Sequence, residues 1–177
     1  MPERRVVVHD PSPSAAARGA AAGGEVAADL VALCEAVDTA ILSLPDAATV
    51  AAVLDTLLGV DSPPSLVVDT STIAPADSRR HADLCAARGV SYVDAPVLGR
   101  PGAVGRWTIP VGGSTNEHGD KSLLARLDEL LAPVAARVVP VGPVGSAATV
   151  KVVNNQMLAV INAATAEAPA VAAAAGL

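Results

Sequence analysis

Two side chains in residues 142–155, GPVGSAATVKVVNN, can do chemistry together: Lys151 and Asn155. They stand four residues apart with no helix breaker between them, so on a helix they project from one face, one turn apart. An ammonium donates a proton and carries a fixed positive charge, and a carboxamide both donates and accepts. The pair can therefore polarise a carbonyl and hold its neighbouring oxygen. A lone lysine on a helix is otherwise a solvated surface residue. The weight falls on two further punctuated stretches, residues 69–75 and 94–113, which read as loops of the same site.

The elements that must position these residues follow from periodicity and turn chemistry. Short apolar runs predict strands at 4–9, 38–44, 66–68, 91–94, 107–111 and 137–139, with a brief extended piece at Val26. Helices are predicted at 14–22, from Asp29 as cap through Glu35, from Pro45-Asp46 to Leu58, from Pro75 to Arg88, at 121–131, and from Ser146 to the end. Gly23-Gly24, Gly59 and Gly89 stop three of them, and Pro169 should kink or interrupt the last. Leu123, Leu124, Leu127, Leu130 and Leu131 fall on one side of their helix. Strand and helix alternating at this spacing describe βαβ units, that is, an α/β fold with a doubly wound, mostly parallel sheet covered on both faces.

Composition narrows the function. Apolar residues make up 51% and aromatics 1%, with no Phe, so the core must be small and aliphatic, and 177 residues suffice for one domain or one domain with part of a second. A net charge of −6 with no basic run argues against a nucleic-acid partner. Cys34 and Cys85 sit in amphipathic segments as buried thiols, and His9, His81 and His118 are too far apart in sequence to suggest a metal site. No secretory h-region opens the chain, and no long apolar stretch precedes the Ala-rich end, which carries Glu167 and Pro169. The expectation is a soluble, cytoplasmic protein with no membrane partner. The last helix is rich in Ala and Val around most of its circumference, so it needs covering by a second copy or by a domain beyond the chain.

Ligands of doubly wound sheets bind beyond the carboxyl ends of the strands. An acid such as Asp10, at a strand end, can accept both ribose hydroxyls and disfavours a 2′-phosphate; equally, it can make an Asx-turn ahead of two prolines. A G-x-G-x-x-G turn should come about 20 residues before such an acid. Only nine residues precede Asp10, and none is glycine.

Three motifs occur in order: DTSTIAP at residues 69–75, DAPVLG at 94–99, and GPVG at 142–145 followed by Lys151, Asn154 and Asn155. In this they resemble the β-hydroxyacid dehydrogenase family, which includes 3-hydroxyisobutyrate dehydrogenase, tartronate semialdehyde reductase and 6-phosphogluconate dehydrogenase. The first of these branches is the most similar, and the likeness runs from Val6 to the end. The resemblance implies that Lys151 is the catalytic lysine that gives a proton to the carbonyl oxygen or holds the hydroxyl, and that Asn155 binds substrate. It implies that Gly99 lies in a loop wrapping the substrate carboxylate. Leu44, Pro45, Thr49 and Thr72 would line the dinucleotide, with Thr72 near the nicotinamide. Asp10 matches a position that is acidic in NAD users, so NAD is implied over NADP.

Several features depart from the family pattern. The loop reads DAPVLGR where Asp-Ala-Pro-Val-Ser-Gly-Gly is usual, so Leu98 cannot bond a carboxylate, while Arg100 can either pair with one or point to water. Ala147 stands where a glycine is common. The first strand with its glycine-rich turn and helix, and most of the all-α domain, have no counterpart. The expected division is a partial Rossmann-like NAD-binding domain over 1–145 and, over 146–177, the start of the helix that normally leads into the helical domain. Three functions compete: an NAD-dependent dehydrogenase of a small 3-hydroxy acid in incomplete form, a non-catalytic remnant acting as an oligomeric or partner-binding module, and a sheet completed by strand exchange between two copies. A homo-oligomer is expected.

Overall fold

The computed structural model describes residues 5–113 and 121–176; His118 lies outside them. In chain order the elements are β1 (Val7–Val8), α1 (Pro13–Ala21), β2 (Glu25–Val26), α2 (Leu30–Ala36), β3 (Thr39–Leu42), α3 (Ala47–Gly59) and β4 (Leu66–Asp69). They continue with α4 (Pro75–Ala86), β5 (Ser91–Asp94), a 3₁₀ turn (Pro101–Ala103), β6 (Trp107–Gly112), α5 (Lys121–Leu131), β7 (Ala135–Gly142) and α6 (Ser146–Ala174). Local chemistry sets several of the starts. Asp29 caps α2 by accepting the Ala32 N–H at 2.8 Å, and Asp46 caps α3 by accepting the Thr49 N–H and hydroxyl at 2.8 and 2.9 Å. Pro75 opens α4 at its first turn, where a missing N–H costs nothing.

The sheet is mostly parallel, as expected, but among the described residues it is in two pieces: a β1-β2 pair and a five-stranded sheet ordered β3-β4-β5-β6-β7. All pairs are parallel except β5 and β6, which meet antiparallel through Asp94 and Gly112. The strand predicted at 4–9 shrinks to Val7–Val8, because β1 is paired along one edge only and to a two-residue strand. The strand predicted at 38–44 ends at Leu42. There the Thr70 N–H and hydroxyl both take the Leu42 carbonyl, at 2.8 and 2.6 Å, and the Leu44 N–H turns to Ser71 Oγ at 2.9 Å. The last strand is longer than the predicted 137–139, since β7 pairs along the whole of β6.

The two sheet faces bury separate clusters. Val67 and Tyr92 face Leu54, Leu57, Cys34 and Cys85 under α2, α3 and α4, while Leu66, Val68, Val93 and Ile109 face Leu127 and Leu131 of α5. Alternation along β4 sends successive side chains to opposite layers, as its fully buried position requires. Both cysteines are buried free thiols, and burial pushes the Cys85 thiol up to about 11. Helix α6 is continuous through Pro169 and is not interrupted there. Only its first turn is buried, through Ala147 and Ala148. Beyond it Val153, Met157, Val160 and Ile161 are exposed, so among the described residues the helix is uncovered. Its length and composition alone would let it cross a bilayer, although its amino end is docked against β5 and β6.

Beneath the site a buried polar group links α4 to the sheet. The Tyr92 hydroxyl donates to Asp69 Oδ2 at 2.7 Å, and His81 packs edge-on against the Tyr92 ring at 6.3 Å between centroids. Both His81 nitrogens and Ser78 Oγ are buried without a hydrogen-bond partner among the described residues. Burial therefore holds the imidazole pKa below its ordinary 6.5, an effect opposed in part by the Asp69 charge. The unfolded chain takes up the proton as pH falls through about 6.5, whereas the folded chain resists it until a lower pH. Stability is thus full above that value and falls as pH drops toward the depressed one. The urea midpoint is expected to decline between about pH 7 and pH 5. In His81→Leu this part of the slope should vanish; an unchanged slope would mean that His81 is not the group responsible.

Candidate active site

The site is assembled around the amino end of α6. Asp94, at the end of β5, is buried, and its two oxygens accept the N–H groups of Gly145 at 2.9 Å and Ala148 at 2.7 Å. Burial pushes the Asp94 carboxyl upward, and these two N–H groups oppose the shift. The cap comes from 51 residues away and satisfies donors that a helix start leaves open. Gly145 has φ +91°, and a side chain there would meet the Pro75 carbonyl at 2.9 Å. Gly112 is equally constrained, since a Cβ would strike the Asp94 carboxylate.

Anchored this way, α6 presents Lys151 to the loop after β5. Lys151 is half-buried, and its Nζ donates to the Val97 carbonyl at 2.7 Å. Asn155 lies on the same face one turn on and is exposed. The loop itself is stapled back onto β6. Leu98 and Thr108 bridge through two backbone bonds of 2.9 and 3.2 Å, and Trp107 Nε1 donates to the Arg100 carbonyl at 2.9 Å. Gly99 sits against the Trp107 ring, where any Cβ would collide with it. The Arg100 side chain is exposed and, among the described residues, has no hydrogen bond or ion pair. Trp107 and Asp94 are the positioning residues that sequence reasoning missed; neither has a local signal, because each acts on a segment distant in the chain.

The remaining candidates lie at the carboxyl ends of β1, β3 and β4. Leu44 is half-buried and fixed by Ser71 Oγ, next to Thr72, which is exposed. Pro45 is exposed, and the Thr49 hydroxyl is engaged by Asp46 within the α3 cap. Asp10 makes the Asx-turn, with Oδ1 accepting the Ser12 N–H at 2.8 Å. Asp10 and Leu44 both line a cavity of about 960 Å³ that runs between β1 and β3. The structure thus joins Lys151 to the Gly99 loop through Val97, and sets Asp10 and Leu44 on the wall of one cavity.

A twisted, mostly parallel sheet, with a lysine on the helix beyond its carboxyl edge and an acid at the end of an outlying strand, defines a Rossmann-like α/β protein. The chain belongs to the β-hydroxyacid dehydrogenase family: residues 2–142 match the model of the NAD binding domain of 6-phosphogluconate dehydrogenase. It is 33% identical over 168 residues to the mitochondrial 3-hydroxyisobutyrate dehydrogenase of Rattus norvegicus, covering 92% of this chain and 48% of that protein. It is 38% identical over 125 residues to the NAD-dependent L-serine dehydrogenase of Pseudomonas aeruginosa, covering 70% and 40%. Among solved structures, that of Mycobacterium tuberculosis 3-hydroxyisobutyrate dehydrogenase with L-serine superposes with a TM-score of 0.84 at 35% identity, covering 98% of this chain and 58% of that one. The chain spans about half the length of the curated relatives it matches.

Membership of this family implies a nicotinamide dinucleotide, and the residues present fit it only in part. In residue type Asp10 suits a ribose, and Leu44 with Thr72 suits a nicotinamide. Between them the cavity wall holds no glycine, and its long sides are strand edges. No cradle for a diphosphate is formed by the described residues, which normally requires a glycine turn running into a helix.

Proposed function

We propose that this chain carries the substrate-holding and proton-transfer part of a nicotinamide-dependent oxidoreductase acting on a small 3-hydroxy acid, the reading expected for the branch that includes 3-hydroxyisobutyrate dehydrogenase. The observation that carries it is the Lys151 contact with the Val97 carbonyl, which holds an ammonium over the Gly99 loop. In this reading the loop N–H groups and Asn155 hold the substrate carboxylate and hydroxyl, and Lys151 exchanges that carbonyl contact for the substrate oxygen. As the carbonyl is reduced Lys151 gives the oxygen its proton; in the reverse direction it holds the hydroxyl. Arg100, exposed at the loop's edge, is available to a second carboxylate or to water. Residues 1–145 act as the dinucleotide-binding part, and residues 146–177 begin the helix that joins it to a helical partner domain. NAD is favoured over NADP, because Asp10 keeps Oδ2 outside the Ser12 bond, and a carboxylate there repels a 2′-phosphate.

A second reading, a non-catalytic oligomeric module, is favoured by the exposed Val153, Met157, Val160 and Ile161 on α6 and by the missing diphosphate cradle. One titration separates the two. NADH added to the 177-residue chain should quench Trp107, the single tryptophan, and sensitise nicotinamide emission, saturating more tightly than NADPH does. Absence of binding by either up to ~1 mM, corresponding to weaker than about −4 kcal/mol, would move the assignment to the module.

A further inference from the structure

Asp69 stands where three segments of the site leave the sheet. It is the last residue of β4, is 1% exposed, and lies in register with Leu42 at the end of β3 and Asp94 at the end of β5. Three of its atoms hold three different segments. Its carbonyl accepts the Ala95 N–H at 2.8 Å, at the start of the loop that leads to Val97 and Gly99. Oδ1 accepts the Ser71 N–H at 2.9 Å, and Oδ2 accepts the Tyr92 hydroxyl at 2.7 Å. Ser71, itself 8% exposed, passes the connection on, because its Oγ accepts the Leu44 N–H at 2.9 Å. Among the described residues no lysine or arginine pairs with the carboxylate, and the nearby His81 nitrogens bond to nothing. Both groups that meet its oxygens are donors, so the place needs an acceptor on each side. An asparagine would turn its NH2 toward one of them.

We infer that Asp69 is a positioning residue that sets residues 43–45 and 70–72 as one unit, acting on the first loop through Ser71. At its depth it cannot meet a ligand itself. The Leu44 N–H is held by a hydroxyl whose own backbone is held by the carboxylate, so the order of one loop depends on the other. Tyr92 fixes the carboxylate from the β5 side, which makes the three side chains and two loops a single buried network. The coupling of the loops follows from these bonds alone; that the loops face a dinucleotide, with Leu44, Pro45 and Thr72 along the nicotinamide, rests on the reading under Proposed function. In that reading the coupling has a purpose. Hydride transfer tolerates little misplacement of the ring, and a wall built from two loops holds it still only if the loops do not move independently.

Amide exchange, read residue by residue by NMR on the full 177-residue chain, tests this. Asp69→Asn should speed exchange at both Ser71 and Leu44 by about tenfold or more. Ala95, whose bond is to the Asp69 main chain, should stay as in wild type. Ser71→Ala should speed Leu44 alone, and adding Asp69→Asn to it should speed Leu44 no further, because the two act in series. An unmoved Leu44 in Asp69→Asn, factors that multiply in the double variant, or Ala95 speeding equally with the other two would overturn the inference. If Asp69→Asn does not fold, Tyr92→Phe, which frees only Oδ2, takes its place: Ser71 and Leu44 should speed together without Ala95, and no change at either overturns it. In the folded variants NADH affinity, followed by Trp107 quenching, should fall about tenfold in Asp69→Asn and in Ser71→Ala, and no further in the double. Affinity equal to wild type with both amides loosened would overturn the positioning role. The exchange pattern in a chain whose wild type binds no NADH would uphold the coupling of the loops and sink the oxidoreductase reading.

Discussion

If the chain acts as proposed, replacing Lys151 with Met is expected to lower kcat/KM for a small 3-hydroxy acid at millimolar NAD by two to four orders of magnitude, the usual worth of a positioned proton donor, or ~3–5 kcal/mol of transition-state stabilisation. The loss should fall mainly on kcat, since the methionine keeps the length and apolar stem that pack beside the loop. Stability should hardly move, because the ammonium is half-exposed and its one bond is to a backbone carbonyl. Lys151→Arg should recover little: a planar guanidinium spreads its charge and cannot place one compact donor over Val97. Steady-state kinetics beside a thermal melt check this. Equal kcat in wild type and Lys151→Met would remove the lysine from the chemistry, whereas a melt as impaired as the rate would make its role structural.

The parts of this molecule written into short sequence windows were legible. Asp46 three residues before Thr49 is a helix cap in any context, and Pro75 at the opening of α4 and the leucine spacing of α5 are equally local. Asp10 before Pro11 carried two readings at once, and the structure displays the Asx-turn without testing the ribose. The strand ends were misjudged where the ladder, not the residue, decides. Residues 43–44 are as strand-like as those before them, but Ser71 Oγ takes the Leu44 N–H in place of a ladder carbonyl and ends the strand. Pro169 lay in a helix long enough to run through it. The Trp107 clamp on Arg100 and the Asp94 cap on α6 were not legible. Each joins segments whose approach is fixed only once β5, β6 and α6 are packed, so no spacing rule carries them.

That cap is where fold and chemistry meet, and removing it should show both. Asp94→Ala leaves the N–H groups of Gly145 and Ala148 buried without partners. At roughly 1–3 kcal/mol for each of the two orphaned donors, the expected cost is about 2–6 kcal/mol. For a chain of this size that is a fall in melting temperature of about 6–18 °C. Asn in the same place keeps one acceptor but turns an amide donor toward a second N–H, so it should recover no more than part of the loss. The consequence for the site follows from distance along the helix. Lys151 stands less than two turns beyond Gly145, and its reach to Val97 depends on where that first turn is held. In Asp94→Asn, measured well below its melting temperature, the turnover proposed for this chain should fall while Trp107 fluorescence is unchanged, because the clamp on Gly99 and Arg100 is made by β6 and not by α6. A fluorescence change of the same size as the activity loss would instead mean that the loop and the helix move as one body, and that Asp94 holds the site as a whole.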